Sequence, residues 1–373
     1  MATLFESTTI NGMALPNRLV RSATWEGMCT ADGRPTEKLT DYYRQLALGG
    51  IGLIISGYTY VAPEGQQLPG KMGIYTDDFA VDFKGLTRTV HDAGGKIAIQ
   101  LVHAGGQASA ATSGRQPVAP SAVEVPQYPV KPAELSREDI GRIVADFADG
   151  ARRAKDWGFD GVQLHGAHGY LINQFLSPLT NRRADDYGGS IVNRCRFLLA
   201  VYERIRATVG PDYPVFIKLN GADNQDGGLE PEDALYAARE LDRAGIDAIE
   251  VSAGTPASGR RGPARTRILK PEKEAYNLEL ARQIKAAVGC PVMSVGGFRS
   301  YEVCSRAVEV DGLDFVALSR PLVREPDLPA RWQKGSRTPA ACISCSGCFK
   351  PGLTEGGIYC VAEKKERKKK TEH

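Results

Sequence analysis

The stretch Gly161-Val162-Gln163-Leu164-His165 decides the fold: a glycine leads into a short apolar run that ends in a polar side chain. Runs of the same kind recur along the chain, with helical segments between them. Short, continuously apolar strands that alternate with amphipathic helices predict a parallel sheet buried on both faces. The seven other runs are residues 19–22, 51–55, 96–100, 215–219, 248–252, 292–295 and 315–318.

The segments between these runs carry helix start and stop signals. Ser136 stands three residues before Asp139, as in a capping box, while Pro231 opens another helix that Gly245 closes. Eight strand–helix units predict an α/β fold that closes into a (β/α)8 barrel. The alternative is an open doubly wound sheet, but no G-x-G-x-x-G follows any candidate strand. We predict a barrel over residues 1–335 and a cysteine-containing, basic tail over residues 336–373.

Composition is that of an ordinary soluble globular protein, with 42% hydrophobic and 24% charged residues among 373. The formal charge of +3 comes from residues 364–373, because the rest of the chain has 41 basic and 42 acidic residues. A polybasic run at an extreme terminus is typical of a solvated end. We therefore expect no nucleic-acid partner and no membrane partner, and a nucleic-acid-binding protein is a disfavoured alternative.

The N-terminus lacks a basic stretch followed by an apolar core, so we expect no secretory signal and a cytoplasmic protein. In that reducing compartment, eight cysteines indicate free thiols or metal ligation rather than disulfides.

Polar side chains occur where the predicted strands end. They are Gln100, His165, Lys218 and the pair Ser319-Arg320. In a β/α barrel, chemistry gathers at the carboxyl ends of the strands, so we expect a polar, partly anionic ligand over the mouth. The Ala-, Ser- and Pro-rich segment 107–130 is predicted to be a long loop that forms a lid or a substrate wall.

Two imidazoles and a phenol follow the fourth strand at His165, His168 and Tyr170. Taken alone, the histidine pair could bind zinc or make structural hydrogen bonds. A zinc-dependent barrel hydrolase is therefore one alternative. Zinc would need a further histidine or carboxylate, whereas the predicted mouth offers mainly Gln, Lys and Arg, which suit an anionic cofactor better.

These residues also carry a resemblance to the old yellow enzyme family, which covers roughly residues 4–335. The resemblance rests on seven segments: Asn17-Arg18-Leu19-Val20, Tyr42-Tyr43, Gln100-Leu101-Val102-His103-Ala104-Gly105, His165–Leu171, Asn173–Pro178, Asn181–Ser190 and Leu318–Leu322.

The resemblance implies an FMN-dependent ene-reductase that takes electrons from NAD(P)H and reduces the C=C bond of α,β-unsaturated carbonyl compounds. His165 and His168 then match the pair that hydrogen-bonds the substrate carbonyl, and Tyr170 matches the proton donor. Such donors stabilise negative charge that develops on the carbonyl oxygen. Family members are commonly oligomers, so we expect a homo-oligomer.

For FMN, the resemblance assigns Gln100 to the pyrimidine edge and Lys218 to the N1–O2 side of the ring. The phosphate site matches Gly296, Gly297, Ser319 and Arg320, and backbone contacts match Ser22, Ala23 and Thr24. Two departures stand out. Ala23-Thr24-Trp25 replaces a Pro followed by a flavin-tuning Cys or Thr, and Tyr58 and Gly105-Gly106 replace a small residue and Gly-Arg in the family pattern.

The tail carries Cys342-x2-Cys345-x2-Cys348-x11-Cys360. This spacing suits a [4Fe–4S] cluster or a zinc site, and it is similar to the cluster motif after the barrel of 2,4-dienoyl-CoA reductase and trimethylamine dehydrogenase. A cluster, zinc and free thiols all remain open. An iron–sulfur flavoprotein acting on a thioester or an amine is accordingly the alternative function. The four other cysteines are scattered, as expected of small buried hydrophobic side chains.

Overall fold

A computed structural model describes residues 2–128 and 130–371 of the chain. Eight parallel strands close into a barrel, because the first strand pairs with both the second and the last. The predicted barrel is thus confirmed and the open sheet is excluded. The strands are β1 (Leu19–Arg21), β2 (Leu53–Tyr60), β3 (Ile97–Val102), β4 (Gly161–Gly166), β5 (Val215–Asn220), β6 (Ala248–Ser252), β7 (Val292–Val295) and β8 (Phe315–Leu318).

A helix follows each strand on the outside of the barrel. Ser136 and Asp139 form a complete capping box at the start of the third helix. Pro231 occupies the first turn of the fifth, and Gly245 lies just past its end with a φ of +88°. The helices are α1 (Glu37–Leu48), α2 (Ala80–Asp92), α3 (Arg137–Asp156), α4 (Arg196–Val209), α5 (Pro231–Arg243), α6 (Leu278–Lys285), α7 (Tyr301–Glu309) and α8 (Leu328–Gln333).

Two strands extend further than the hydrophobic pattern predicts. β2 continues to Tyr60 through a register shift between Ile55 and Tyr58, and β3 continues to Val102. The polar Gln100 therefore lies inside β3 rather than at its end. An inward-pointing polar side chain does not interrupt the backbone hydrogen bonds of a strand, so it marks a site without ending the strand.

The barrel interior is filled in layers. Apolar side chains such as Val20, Ala98, Phe216 and Ala248 form the lower layer. An antiparallel hairpin, Thr8–Ile10 with Met13–Leu15, packs against this layer and closes the amino end of the barrel. Side chains two residues further along a strand point in the same direction. The next layer therefore places Ser22, Gln100, Lys218 and Glu250 together just under the mouth.

The tail packs onto the mouth of the barrel. Ala340 and Ile358 are buried in the main hydrophobic core, and the backbone N–H of Ile358 donates to the carbonyl of Glu26 at 2.8 Å. At Gly27, whose φ is +65°, a Cβ atom would come within 2.6 Å of the Gly352 carbonyl oxygen, so the approach requires glycine. Two helices, Phe349–Thr354 and Val361–Thr371, complete the described part of the tail.

The segment predicted to be a loop, residues 107–130, is mostly irregular over its described part. It contains one helical turn, Ala110–Ser113, and a short strand, Val118–Ala119, that pairs with Ala133–Glu134. Pro129 lies outside the described residues. None of the helices in the described part of the chain is long and apolar enough to cross a membrane.

Candidate active site

One cavity of about 1000 Å³ at the carboxyl ends of the strands gathers all the side chains that the sequence predicted for catalysis and FMN binding. They come from six strands and the loops after them, so closure of the barrel brings them together. The twelve residues are Ser22, Ala23, Thr24, Gln100, His165, His168, Tyr170, Lys218, Gly296, Gly297, Ser319 and Arg320.

A continuous hydrogen-bond network forms the floor of this cavity. Gln100 Nε2 donates to Gln163 Oε1 at 2.8 Å, and Gln163 Nε2 donates to Glu250 Oε2 at 2.7 Å. The other Glu250 oxygen accepts from Ser22 Oγ at 2.6 Å and lies 3.3 Å from Lys218 Nζ. Each member therefore holds the next in one orientation.

Lys218 is a buried cation with a buried counter-charge. Its side chain is 3% exposed and that of Glu250 is fully buried. Burial lowers the pKa of Lys218, and the Glu250 carboxylate opposes that shift. Lys218 also donates to Ser22 Oγ at 2.8 Å. The pair presents a fixed ammonium to a ligand on the cavity floor.

Another part of the cavity lining is built from the end of β4 and the segment after it. His168 adopts a left-handed backbone with a φ of +61°, and its Nε2 lies 2.8 Å from Ser252 Oγ. Its ring centroid is 5.1 Å from that of His165, which in turn is 4.6 Å from that of Tyr170. A strained residue at such a point is typical of a functional site. The two imidazoles and the phenol face one volume.

Burial determines the protonation states of the two imidazoles and the phenol. Burial lowers the pKa of His165 well below its usual value, and His168, Lys218 and Lys71 lower it further. Burial, with a contribution from Lys218, lowers the pKa of His168 to about 3. Both imidazoles are therefore neutral N–H donors at physiological pH. Burial raises the pKa of Tyr170, with Tyr128 adding to the shift and the hydrogen bond to Gln67 opposing it.

Small residues line the end of the cavity at β7 and β8. Gly297 has a φ of +77°, and a Cβ atom there would lie 2.9 Å from the Tyr276 ring. Ser319 Oγ lies 2.7 Å from Thr24 Oγ1, which ties β8 to the segment after β1. Arg320 is 8% exposed and adds a cation beside this pocket. Open backbone N–H groups beside a guanidinium are well suited to a phosphate.

Several residues of the cavity were missed by the sequence reasoning. Glu250 lies directly beside Lys218 in the parallel register of β5 and β6. A lone carboxylate inside an otherwise apolar strand was the signal that could have found it. Lys71 and Gln67, which reach the cavity from the segment after β2, had no such signal because that segment is irregular.

The four tail cysteines line a second, smaller cavity next to the first. Cys342, Cys345, Cys348 and Cys360 share it with Arg320, which also lines the main cavity. Burial raises the pKa of Cys342, and it raises that of Cys348 to about 11. Among residues 2–128 and 130–371, no three His, Cys, Asp or Glu side chains are placed to hold a single metal ion. The His165–His168 pair therefore has no third zinc ligand within that part of the chain.

A closed (β/α)8 barrel with a polar pocket at the carboxyl ends of its strands is a common architecture of enzymes that bind a phosphate-bearing ligand. The comparison with known families agrees, since residues 3–338 match the NADH:flavin oxidoreductase / NADH oxidase family. The chain belongs to that family, as the resemblance in the sequence predicted.

Two groups of relatives cover the chain differently. It is 37% identical over 352 residues to an NADH oxidase of Thermoanaerobacter brockii, covering 93% of this chain and 53% of that protein. It is 35% identical over 327 residues to an NADPH dehydrogenase of Geobacillus sp., covering 87% of this chain and 92% of that protein. The chain thus spans about half the length of the first relative and nearly all of the second.

Solved structures show the same two groups. A 2-naphthoyl-CoA reductase complex matches with a TM-score of 0.88 at 27% identity, over 96% of this chain and 56% of that one. An old yellow enzyme homologue from Zymomonas mobilis matches with a TM-score of 0.80 at 31% identity, over 95% and 99%. The barrel is common to both groups, whereas the longer proteins continue beyond it.

Proposed function

We propose that the protein is an FMN-dependent NAD(P)H oxidoreductase that reduces the activated C=C bond of α,β-unsaturated carbonyl compounds. The observation that supports this most is the placement of His165, His168 and Tyr170 in one cavity with the buried Lys218 ammonium. Within this proposal, residues 1–335 form the FMN barrel and residues 336–373 form its cysteine-bearing tail.

The residues present fit FMN at both ends. The buried Lys218 ammonium and the Gln100 amide suit the polar edge of the flavin ring, and Ser22, Ala23 and Thr24 line the same wall. The Gly297 turn and Arg320 suit the phosphate. When bound and reduced by NAD(P)H, FMN supplies a hydride to the β-carbon of the substrate.

The protein side chains then act on the substrate. His165 and His168 are neutral donors that hydrogen-bond the carbonyl oxygen, which favours charge development on that oxygen. Tyr170, whose ring centroid lies 4.6 Å from that of His165, supplies the proton to the α-carbon. Its raised pKa makes it a weak acid, which is sufficient because the carbon that receives the proton is strongly basic.

The test is the visible spectrum of the purified holoprotein during two additions. NADH or NADPH should bleach the flavin bands and 2-cyclohexenone should restore them. Tyr170→Phe should keep bound FMN and slow the reoxidation step by about 10²–10⁴-fold. An unchanged reoxidation rate in this variant rejects Tyr170 as the acid, and a protein that cannot be loaded with FMN rejects the function.

A second candidate is an iron–sulfur flavoprotein that acts on a thioester or an amine. It is favoured by the four cysteines around one cavity that shares Arg320 with the flavin pocket. A [4Fe–4S] cluster would take one cysteine thiolate on each of its four irons, which is the number of cysteines that line this cavity. Iron and acid-labile sulfide in anaerobically purified protein, absent from Cys345→Ser, would support it.

The cellular setting follows from thiol chemistry. All eight cysteines are free, and reduced thiols are typical of the cytoplasm, where we place the protein. A homo-oligomer stays a prediction, which light scattering after size-exclusion chromatography would test.

A further inference from the structure

A buried lysine stands on the substrate side of the cavity without a full set of partners. Lys71 is 3% exposed and lines the cavity with His165 and Tyr170. Its ammonium donates to Gln67 Oε1 at 2.8 Å and lies 3.6 Å from the centre of the Tyr58 ring. An ammonium has three donors. Two of them have no acceptor among the residues that the structure describes.

The charges around the cavity are unequal. Its described lining contains three cations, Lys71, Lys218 and Arg320, and no carboxylate. Lys218 pairs with Glu250 below the floor, and Arg320 lies at the proposed phosphate site. Lys71 has no acidic side chain within ion-pair distance among residues 2–128 and 130–371. FMN therefore leaves one cation over, beside His165 and Tyr170.

The position of this cation relative to the substrate is set by Gln67. The Gln67 Oε1 atom accepts hydrogen bonds from both Lys71 Nζ, at 2.8 Å, and Tyr170 Oη, at 2.9 Å. The ammonium is thus held beside the proposed proton donor. An anionic substituent that meets Lys71 lies near the carbon that Tyr170 protonates.

We propose that Lys71 binds a carboxylate of the substrate, so that the enzyme prefers unsaturated carbonyl compounds that also carry an ionised acid group. This rests on the proposed ene-reductase function. The aromatic face of Tyr58 stabilises the cation while the cavity is empty. The carboxylate supplies the acceptors and the counter-charge that Lys71 lacks in the protein alone.

The pH dependence provides a signature. Burial lowers the pKa of Lys71 to about 7, and the Glu26 carboxylate at longer range opposes the shift. The groups that face the ammonium are the Tyr58 and Tyr170 rings, the Gln67 amide and, within electrostatic range, the neutral His165 imidazole. Above pH 7 the free enzyme loses the charge, so kcat/KM for an acidic substrate should fall as the pH rises. The kcat/KM for a neutral enone should not show this fall with rising pH.

The experiment compares two cyclohexenones that differ by one ring carboxylate, with the FMN-loaded enzyme and Lys71→Met. The ratio of kcat/KM for the acid to kcat/KM for the neutral enone should fall by about 10–100-fold in Lys71→Met. Lys71→Arg should retain a larger part of the ratio because it keeps the charge. Lys350→Met, at an exposed lysine of the tail, is the matched control and should keep the wild-type ratio.

A binding measurement separates the proposal from the function on which it rests. The saturated cyclohexanone carboxylate is not reduced, and its Kd from calorimetry should rise by the same factor in Lys71→Met. Suppose that the wild-type enzyme reduces neither enone, but that the cyclohexanone carboxylate still binds more weakly to Lys71→Met than to wild type. In that case the ene-reductase function fails and the Lys71 site stands. Equal ratios and equal Kd values in wild type and Lys71→Met, with both proteins folded and loaded with FMN, would overturn the proposal.

Discussion

Lys218 and Lys71 are two buried lysines of one cavity with opposite surroundings. Lys218 is held by a carboxylate, a serine hydroxyl and a chain of amides that leaves few donors unused. Lys71 has one amide oxygen and the face of one aromatic ring. A closed network suits a ligand that stays in place, such as a resident cofactor. An incomplete set of partners, as at Lys71, suits a ligand that binds and leaves. Such a ligand supplies the missing hydrogen-bond acceptors on each turnover.

The largest expected effect comes from breaking the closed network. Lys218→Met leaves the fully buried Glu250 without its counter-charge, so the free energy of unfolding should fall by about 3–5 kcal/mol. Urea unfolding measures this change, and FMN content should fall as well. The further change Glu250→Gln should recover part of the stability.

Lys71→Met is the matched comparison, since it removes a buried ammonium that forms no ion pair within the described part of the chain. Its unfolding free energy should change by less than about 1 kcal/mol or rise. A loss as large as that of Lys218→Met would show that the two lysines do not differ as described.

The next largest effect is expected at the contact between the tail and the segment after β1, which covers the cavity. Phe349 and Trp25 line the cavity where the tail meets the segment after β1, and Gly27 allows the close approach. Gly27→Ala should cost about 1–3 kcal/mol more than Gly12→Ala. Gly12 is the control because its φ of +78° carries the same backbone strain while the space around it is open. Equal losses would mean that the tail does not depend on this contact.

The smallest effect is expected at His103, which packs against the segment that binds the Tyr58 hydroxyl. His103 Nδ1 accepts from the Gly105 N–H at 3.0 Å, and its ring lies against Gly65, whose carbonyl binds the Tyr58 hydroxyl. Burial lowers the pKa of His103 to about 4, with Glu64 opposing the shift. The unfolded chain therefore binds a proton below about pH 6.5 that the folded chain does not.

The contribution of His103 to stability should accordingly be complete above that pH and fall as the pH drops from about 6.5 to about 4, by up to about 1.4 kcal/mol per pH unit. His103→Gln should flatten the slope of unfolding free energy against pH over this range. Identical slopes in wild type and His103→Gln would contradict the assignment.

Much of the site was predictable because it follows strand geometry. His165, Gln100 and Lys218 lie in regular strands, where the side-chain period of two and the closure of the barrel place them together. Lys71 and Gln67 come from an irregular segment, where no period relates sequence to direction. The extension of β2 to Tyr60 was missed for a related reason, since its register shift has no hydrophobic pattern.

By itself the sequence determined the barrel, its helices and the set of polar groups at the mouth, because apolar periodicity and cap residues act locally. The tertiary structure decided which buried charges are paired. It brought Glu250 beside Lys218, and within residues 2–128 and 130–371 it placed no carboxylate in contact with Lys71. It also folded the tail over the mouth so that Ser344 and Phe349 line the cavity. The physical reason is that charge pairing depends on distances of a few ångströms between residues far apart in the chain, which only closure of the barrel fixes.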